Sequence, residues 1–148
     1  MDDPDRRRGA VVMTARACLF VGIIVAGLAL RHFGLGLRIP ASIVKYGGSV
    51  LWGAMVFFLV AIASRRLSRL QIASVSALIA VGVELFRLVH TPWLDAFRLT
   101  LAGALLLGRI FSMWDILSYA AGIWLALLLD RLAGPIAALK TPAPHSPS

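Results

Sequence analysis

Nineteen consecutive residues, Tyr46 to Ser64, contain no charged side chain. A helix of roughly 20 apolar residues crosses a bilayer core of about 30 Å, and only a structure that satisfies its own backbone hydrogen bonds can do so. This run therefore restricts the chain to a membrane-embedded helical fold. The composition agrees: 59% of residues are hydrophobic and 15% charged, with a mean hydropathy of +0.86, which leaves too little polar surface to cover a soluble core.

Three further apolar runs lead to an all-α membrane protein with four transmembrane helices. The first, Ala17 to Leu30, follows a charged N-terminal segment, residues 1–9, that holds Pro4 and the Arg6-Arg7-Arg8 cluster. A signal peptide begins in the same way, and Gly27-Leu28-Ala29 is a weak cleavage site. The runs that follow favour a retained span reaching back to about Ala10, with Arg16 snorkelling to the headgroups. The third run, about Leu70 to Val89, carries Glu84 and Arg87 near its far end. Its aliphatic and aromatic residues, at roughly −0.3 to −0.6 kcal/mol each, offset charges that lie near an interface. The stretch from Leu99 to Leu129 is too long for one span and too short for two with a turn. Divided at Ser112, it gives an interfacial or re-entrant segment, Leu99 to Phe111, and a fourth span, Met113 to Leu129. The transmembrane domain then covers residues 10–131, and residues 132–148, with Pro135, Pro142, Pro144 and Pro147, read as a disordered tail.

The net charge of +8 could suggest nucleic-acid binding, but the cations lie between the apolar runs rather than in one stripe, which is the pattern of topology signals. On the terminal side of a four-span layout stand Arg6, Arg7, Arg8, Arg16, Arg65, Arg66, Arg69, Arg131 and Lys140, against Arg31, Arg38, Lys45, Arg87, Arg98 and Arg109 on the other. The bias favours both termini in the cytoplasm of a multi-pass plasma-membrane protein, a bacterial inner-membrane protein on the resemblance given below, with no nucleic-acid partner expected.

The same layout gathers Glu84, Arg87, Asp95, Arg98, Arg109 and Asp115 near the outer face. Glu84 lies near a helix C-terminus, where the macrodipole disfavours an anion, so it needs a cationic partner such as Arg98 or Arg87. Asp115 sits in a first helical turn, where the dipole favours it, and Tyr119 is four residues on, on the same face. Glu84, Arg87, Arg98, Asp115 and Tyr119 form the candidate polar site. It either holds a polar or anionic group of a lipid, with the arginines as planar donors, or consists of ion pairs that lock the helices together.

Other features carry less. His32, His90 and His145 lack ligand-like spacing, so neither a metal nor a cofactor is expected. The single Cys18 reads as a buried, inert thiol. Trp52, Trp93, Trp114 and Trp124 include several near the expected span boundaries, which suits an interfacial belt better than a stacking site. Gly47, Gly48, Gly53 and Gly122 with Ala126 allow close helix approach within one chain or in a homo-oligomer. No phosphate-binding loop, nucleophile elbow or paired-histidine motif occurs, which argues against an enzyme.

Several segments carry a resemblance: Glu84-Leu85-Phe86-Arg87, Trp93-Leu94-Asp95-Ala96-Phe97-Arg98-Leu99-Thr100, Leu107-Gly108-Arg109-Ile110-Phe111-Ser112-Met113-Trp114-Asp115 and Tyr119-Ala120-Ala121-Gly122. Together with Tyr46-Gly47-Gly48-Ser49-Val50-Leu51-Trp52, the chain resembles, over roughly residues 17–130, the bacterial integral membrane family catalogued as domain of unknown function 2809. It is similar in layout, more distantly, to VanZ-like membrane proteins. The resemblance implies four spans with Glu84, Arg98, Asp115 and Tyr119 as the family-typical polar positions, and supplies no activity. The family usually has Gln three residues after its Glu; here Arg87 stands there, which makes an acid–base pair on one helix turn. The expected function is that of a cell-envelope accessory protein binding a polar or anionic lipid-linked group at the outer leaflet. The alternative is a small oligomeric transporter or proton-coupled carrier that uses Glu84.

Overall fold

A computed structural model describes residues 4–34, 36–64, 66–100, 103 and 112–139, and among these there is no strand. Five helices follow in order: α1 Pro4–Phe33, α2 Ala41–Ala63, α3 Arg69–Phe86, α4 Pro92–Arg98 and α5 Met113–Leu139. Four are long and apolar enough to cross a membrane, over Gly9–Phe33, Ala41–Ala63, Arg69–Phe86 and Met113–Ala133.

Local chemistry sets the helix ends. Pro40 precedes α2 and fixes its start at Ala41, five residues before the expected Tyr46, because proline tolerates the position ahead of a first turn. Ser68 caps α3 in a capping box: its hydroxyl accepts from the Gln71 N–H at 3.3 Å, and the Gln71 side chain accepts from the Ser68 N–H at 2.9 Å. Two otherwise orphaned donors are thereby satisfied. The chain leaves α3 at Phe86 rather than Val89. The short α4 was not expected from the sequence, although Pro92 in its first turn, Asp95 near its start and Arg98 in its last turn complement the helix dipole. The last helix continues through Gly134 and Pro135 to Leu139, past the point where the tail was expected to begin. The expected interfacial segment, Leu99 to Phe111, lies outside the described residues except for Leu99, Thr100 and Gly103.

Helices α2 and α5 form the central pair. α1 packs on both from one side and α3 from the other, and the backbones of α1 and α3 stay apart. Val56, Phe57, Phe58 and Ala61 of α2 meet Ile72 and Ala80 of α3 and Tyr119, Ile123, Ala126 and Leu127 of α5 in one core. The central pair approaches closely because it carries glycine on both sides. A Cβ on Gly53 would strike the Tyr119 backbone, and one on Gly122 would strike the backbone of Val50 and Ala54. Close approach of this kind is how transmembrane helices gain packing energy without a hydrophobic driving force. Gly53, Gly122 and the fully buried Ala126 thus pack within one chain.

The outer wall is apolar: Val21, Val25 and Leu28 of α1, Leu78 and Ile79 of α3, and Leu117 and Leu125 of α5 are all exposed. In water such a surface would be an aggregation hazard; in lipid it is the solvated face. Cys18 lies on this exposed wall, not buried as expected. Trp93, Trp114 and Trp124 are exposed, whereas Trp52 is half-buried and packs against Tyr119 with ring centroids 4.9 Å apart.

Candidate functional site

Glu84 lies in the last turn of α3 and is fully buried, where the α3 dipole opposes its charge. The start of α5 offsets this. The backbone N–H of Ser112, the residue before α5, donates to Glu84 Oε1 at 2.6 Å, so the carboxylate of one helix faces the favourable end of another. Arg87 Nη1 lies 2.7 Å from Glu84 Oε2 as an i,i+3 ion pair, although the alignment falls short of a hydrogen bond.

Arg87 reaches across to α5 as well. Its Nη1 donates to Asp115 Oδ2 at 3.0 Å and its Nη2 to the Tyr119 hydroxyl at 2.8 Å. Ser49 of α2 adds a long hydrogen bond, 3.4 Å, to Asp115 Oδ1. Burial alone would lower the Arg87 pKa; Tyr119, Glu84 and Asp115 outweigh it and hold the guanidinium above its ordinary value. Arg87 therefore stays charged at any physiological pH, and two buried carboxylates share it.

Arg98 does not join this group. Its Nη1 donates to Asp95 Oδ1 at 3.0 Å and to the Val89 carbonyl at 2.9 Å, and its Nη2 to the Phe86 carbonyl at 2.7 Å. These carbonyls belong to the end of α3 and the turn after it, so Arg98 acts as a C-terminal cap. His90 Nδ1 lies 3.3 Å from the same Asp95 oxygen. The outer-face group expected as one cluster is thus two: Glu84, Arg87, Asp115 and Tyr119 in the core, and Asp95, Arg98 and His90 around the end of α3. Arg109 lies outside the described residues.

A further polar group stands at the opposite end of the bundle. Asp130 of α5 receives Arg16 Nε at 2.7 Å and Arg16 Nη2 at 2.9 Å, together with Arg69 Nε at 2.9 Å. Arg16 Nη1 donates to the Ala61 carbonyl at 3.1 Å. Arg16 is therefore tied inward and does not snorkel. In the sequence Asp130 stands beside Arg131 at the end of its apolar run, and pairing it with Arg16 required knowing that α1 and α5 touch. The first cluster bears on topology. Glu84 and Arg87 at the end of α3 meet Ser112 and Asp115 at the start of α5, so the chain leaves α3 and begins α5 on the same side.

Among the described residues, no group of three His, Cys, Asp or Glu side chains could hold a metal ion. What the fold and site define is a multi-pass helical membrane protein with a buried acid–arginine cluster at one end. Residues 38–123 match the family described as protein of unknown function DUF2809, and the chain belongs to that family. The matched stretch contains Ser49, Glu84, Arg87, Arg98, Asp115 and Tyr119. No solved structure matches the chain.

Proposed function

We propose that this is a bacterial inner-membrane protein of the cell envelope, with both termini in the cytoplasm, whose Glu84–Arg87–Asp115–Tyr119 cluster holds the polar headgroup of a lipid or lipid-linked molecule at the outer leaflet. The observation that carries this reading is the imbalance of the cluster: among the described residues, two buried carboxylates face one guanidinium. Among the described residues, Glu84 Oε2 accepts no aligned hydrogen bond, and Asp115 Oδ1 accepts only the long one from Ser49. Carboxylates have room for about four donors each, so the group suits a ligand rich in donors, such as hydroxyls or an amine. An anionic ligand is less suited, because both Nη groups of Arg98 already donate to Asp95 and to carbonyls, and Arg87 already serves Glu84, Asp115 and Tyr119. The excess of cations on the terminal side supports the orientation.

The test is thermal unfolding of the detergent-purified protein with and without an extract of envelope lipids. Asp115→Asn leaves one carboxylate for Arg87, so its stability without lipid should stay within about 1 kcal/mol of wild type, while the lipid-induced rise in Tm is lost. Loss of folding with or without lipid would make the cluster a lock between helices instead.

The same imbalance favours a second reading, a proton-coupled carrier in which Glu84 takes up the proton that balances the cluster. Proton uptake into proteoliposomes that disappears in Glu84→Gln would support it.

A further inference from the structure

We infer that the corner formed by Arg69, Asp130 and Arg16, at the opposite end from the proposed headgroup site, binds the phosphate of an anionic phospholipid in the leaflet on that side. Two guanidinium groups share one carboxylate there, which leaves the corner with one uncompensated positive charge. No other carboxylate among the described residues pairs with either arginine.

The two arginines are used differently. Arg16 is 14% exposed and spends Nε and Nη2 on Asp130 and Nη1 on the Ala61 carbonyl. Arg69 is 43% exposed and spends only Nε; its two Nη groups make no hydrogen bond among the described residues. Asp130, 2% exposed, thus holds Arg69 by one edge of its guanidinium and leaves the other edge free, a planar pair of donors that matches two phosphate oxygens.

The surroundings fit a lipid better than a soluble anion. Arg69 opens α3, whose first turn contains no acidic residue, so the dipole of that helix adds to the positive potential. Arg66, in the turn before it, is exposed. Leu70 and Leu132, each 64% exposed, stand next in sequence to Arg69 and two residues beyond Asp130, and offer apolar surface to an acyl chain. A basic pocket between spans at the membrane surface is the arrangement that recognises anionic headgroups.

The experiment compares thermal unfolding of the full chain in nanodiscs of phosphatidylcholine alone, of phosphatidylcholine with phosphatidylglycerol, and of phosphatidylcholine with inorganic phosphate in the buffer. Phosphatidylglycerol should raise the wild-type midpoint by several degrees. Arg69→Gln should lose most of that gain while keeping its midpoint in phosphatidylcholine, since Asp130 retains Arg16. Arg69→Lys, which keeps the charge but not the planar pair, should retain part of the gain, and it serves if the glutamine variant does not fold. Arg31→Gln, an exposed cation at the other end of α1, should keep the gain in full. Three results would overturn the assignment: a gain that survives in both Arg69 variants, a gain lost equally in Arg31→Gln, or a gain reproduced in full by inorganic phosphate.

Discussion

Arg87→Met is expected to destabilise the protein by about 3–5 kcal/mol, the usual cost of removing one partner from a buried charge group. Glu84 is fully buried and Asp115 is 5% exposed, and Arg87 is the cation between them at 2.7 and 3.0 Å. Without it, two like charges remain in a medium that solvates neither, and the Tyr119 hydroxyl loses the donor that lies 2.8 Å away. Methionine fills much of the volume of the arginine stem, so the loss reports charge rather than a cavity. The triple variant Glu84→Gln, Arg87→Met, Asp115→Asn should recover most of the stability, because removing all charges together leaves no unpaired ion. Unfolding of purified protein in mixed micelles with increasing denaturing detergent would measure both. An Arg87→Met protein as stable as wild type would mean that the carboxylates find other partners.

The second large effect is expected at the opposite end. Asp130→Ala leaves Arg16 and Arg69 side by side with no anion, and should cost about 3 kcal/mol. The value lies at the low end of the range for buried pairs because Arg69 already reaches solvent. Arg16→Met should cost less, since Asp130 keeps Arg69, and Arg69→Gln least of all. That order, Asp130 above Arg16 above Arg69, is specific to a carboxylate serving two cations of unequal burial. Equal losses at all three positions would mean that the three side chains contribute independently.

The spans were legible because lipid leaves a simple mark in sequence: uncharged runs of bilayer length. The Tyr46–Ser64 run lies almost wholly within α2, and Met113 opens α5 as expected. Which way each residue faces was not legible. A helix apolar on all sides has no polar stripe to set its phase, so Cys18 was expected to be buried and instead lies on the exposed wall. Pairing of charges was partly legible. Glu84 and Arg87 are three residues apart on one helix, so their contact follows from local geometry. Arg98 was the other expected partner of Glu84, but its guanidinium is captured by carbonyls at the end of α3, and a sequence does not show which backbone groups a turn will leave unpaired. The Asp130 cluster joins three helices, and no spacing within the chain marks it.

The topology that underlies both sites can be tested by labelling single cysteines in a Cys18→Ala background with a membrane-impermeant maleimide, on bacterial spheroplasts expressing the protein. Ala41→Cys, at the start of α2, and Met113→Cys, at the start of α5, should both react on intact spheroplasts, whereas Arg66→Cys, in the turn between α2 and α3, should react only after permeabilisation. Labelling of Ala41→Cys and Met113→Cys from opposite sides would contradict the four-span arrangement, and reaction of Arg66→Cys alone on intact spheroplasts would place the Glu84–Arg87–Asp115–Tyr119 cluster on the cytoplasmic face.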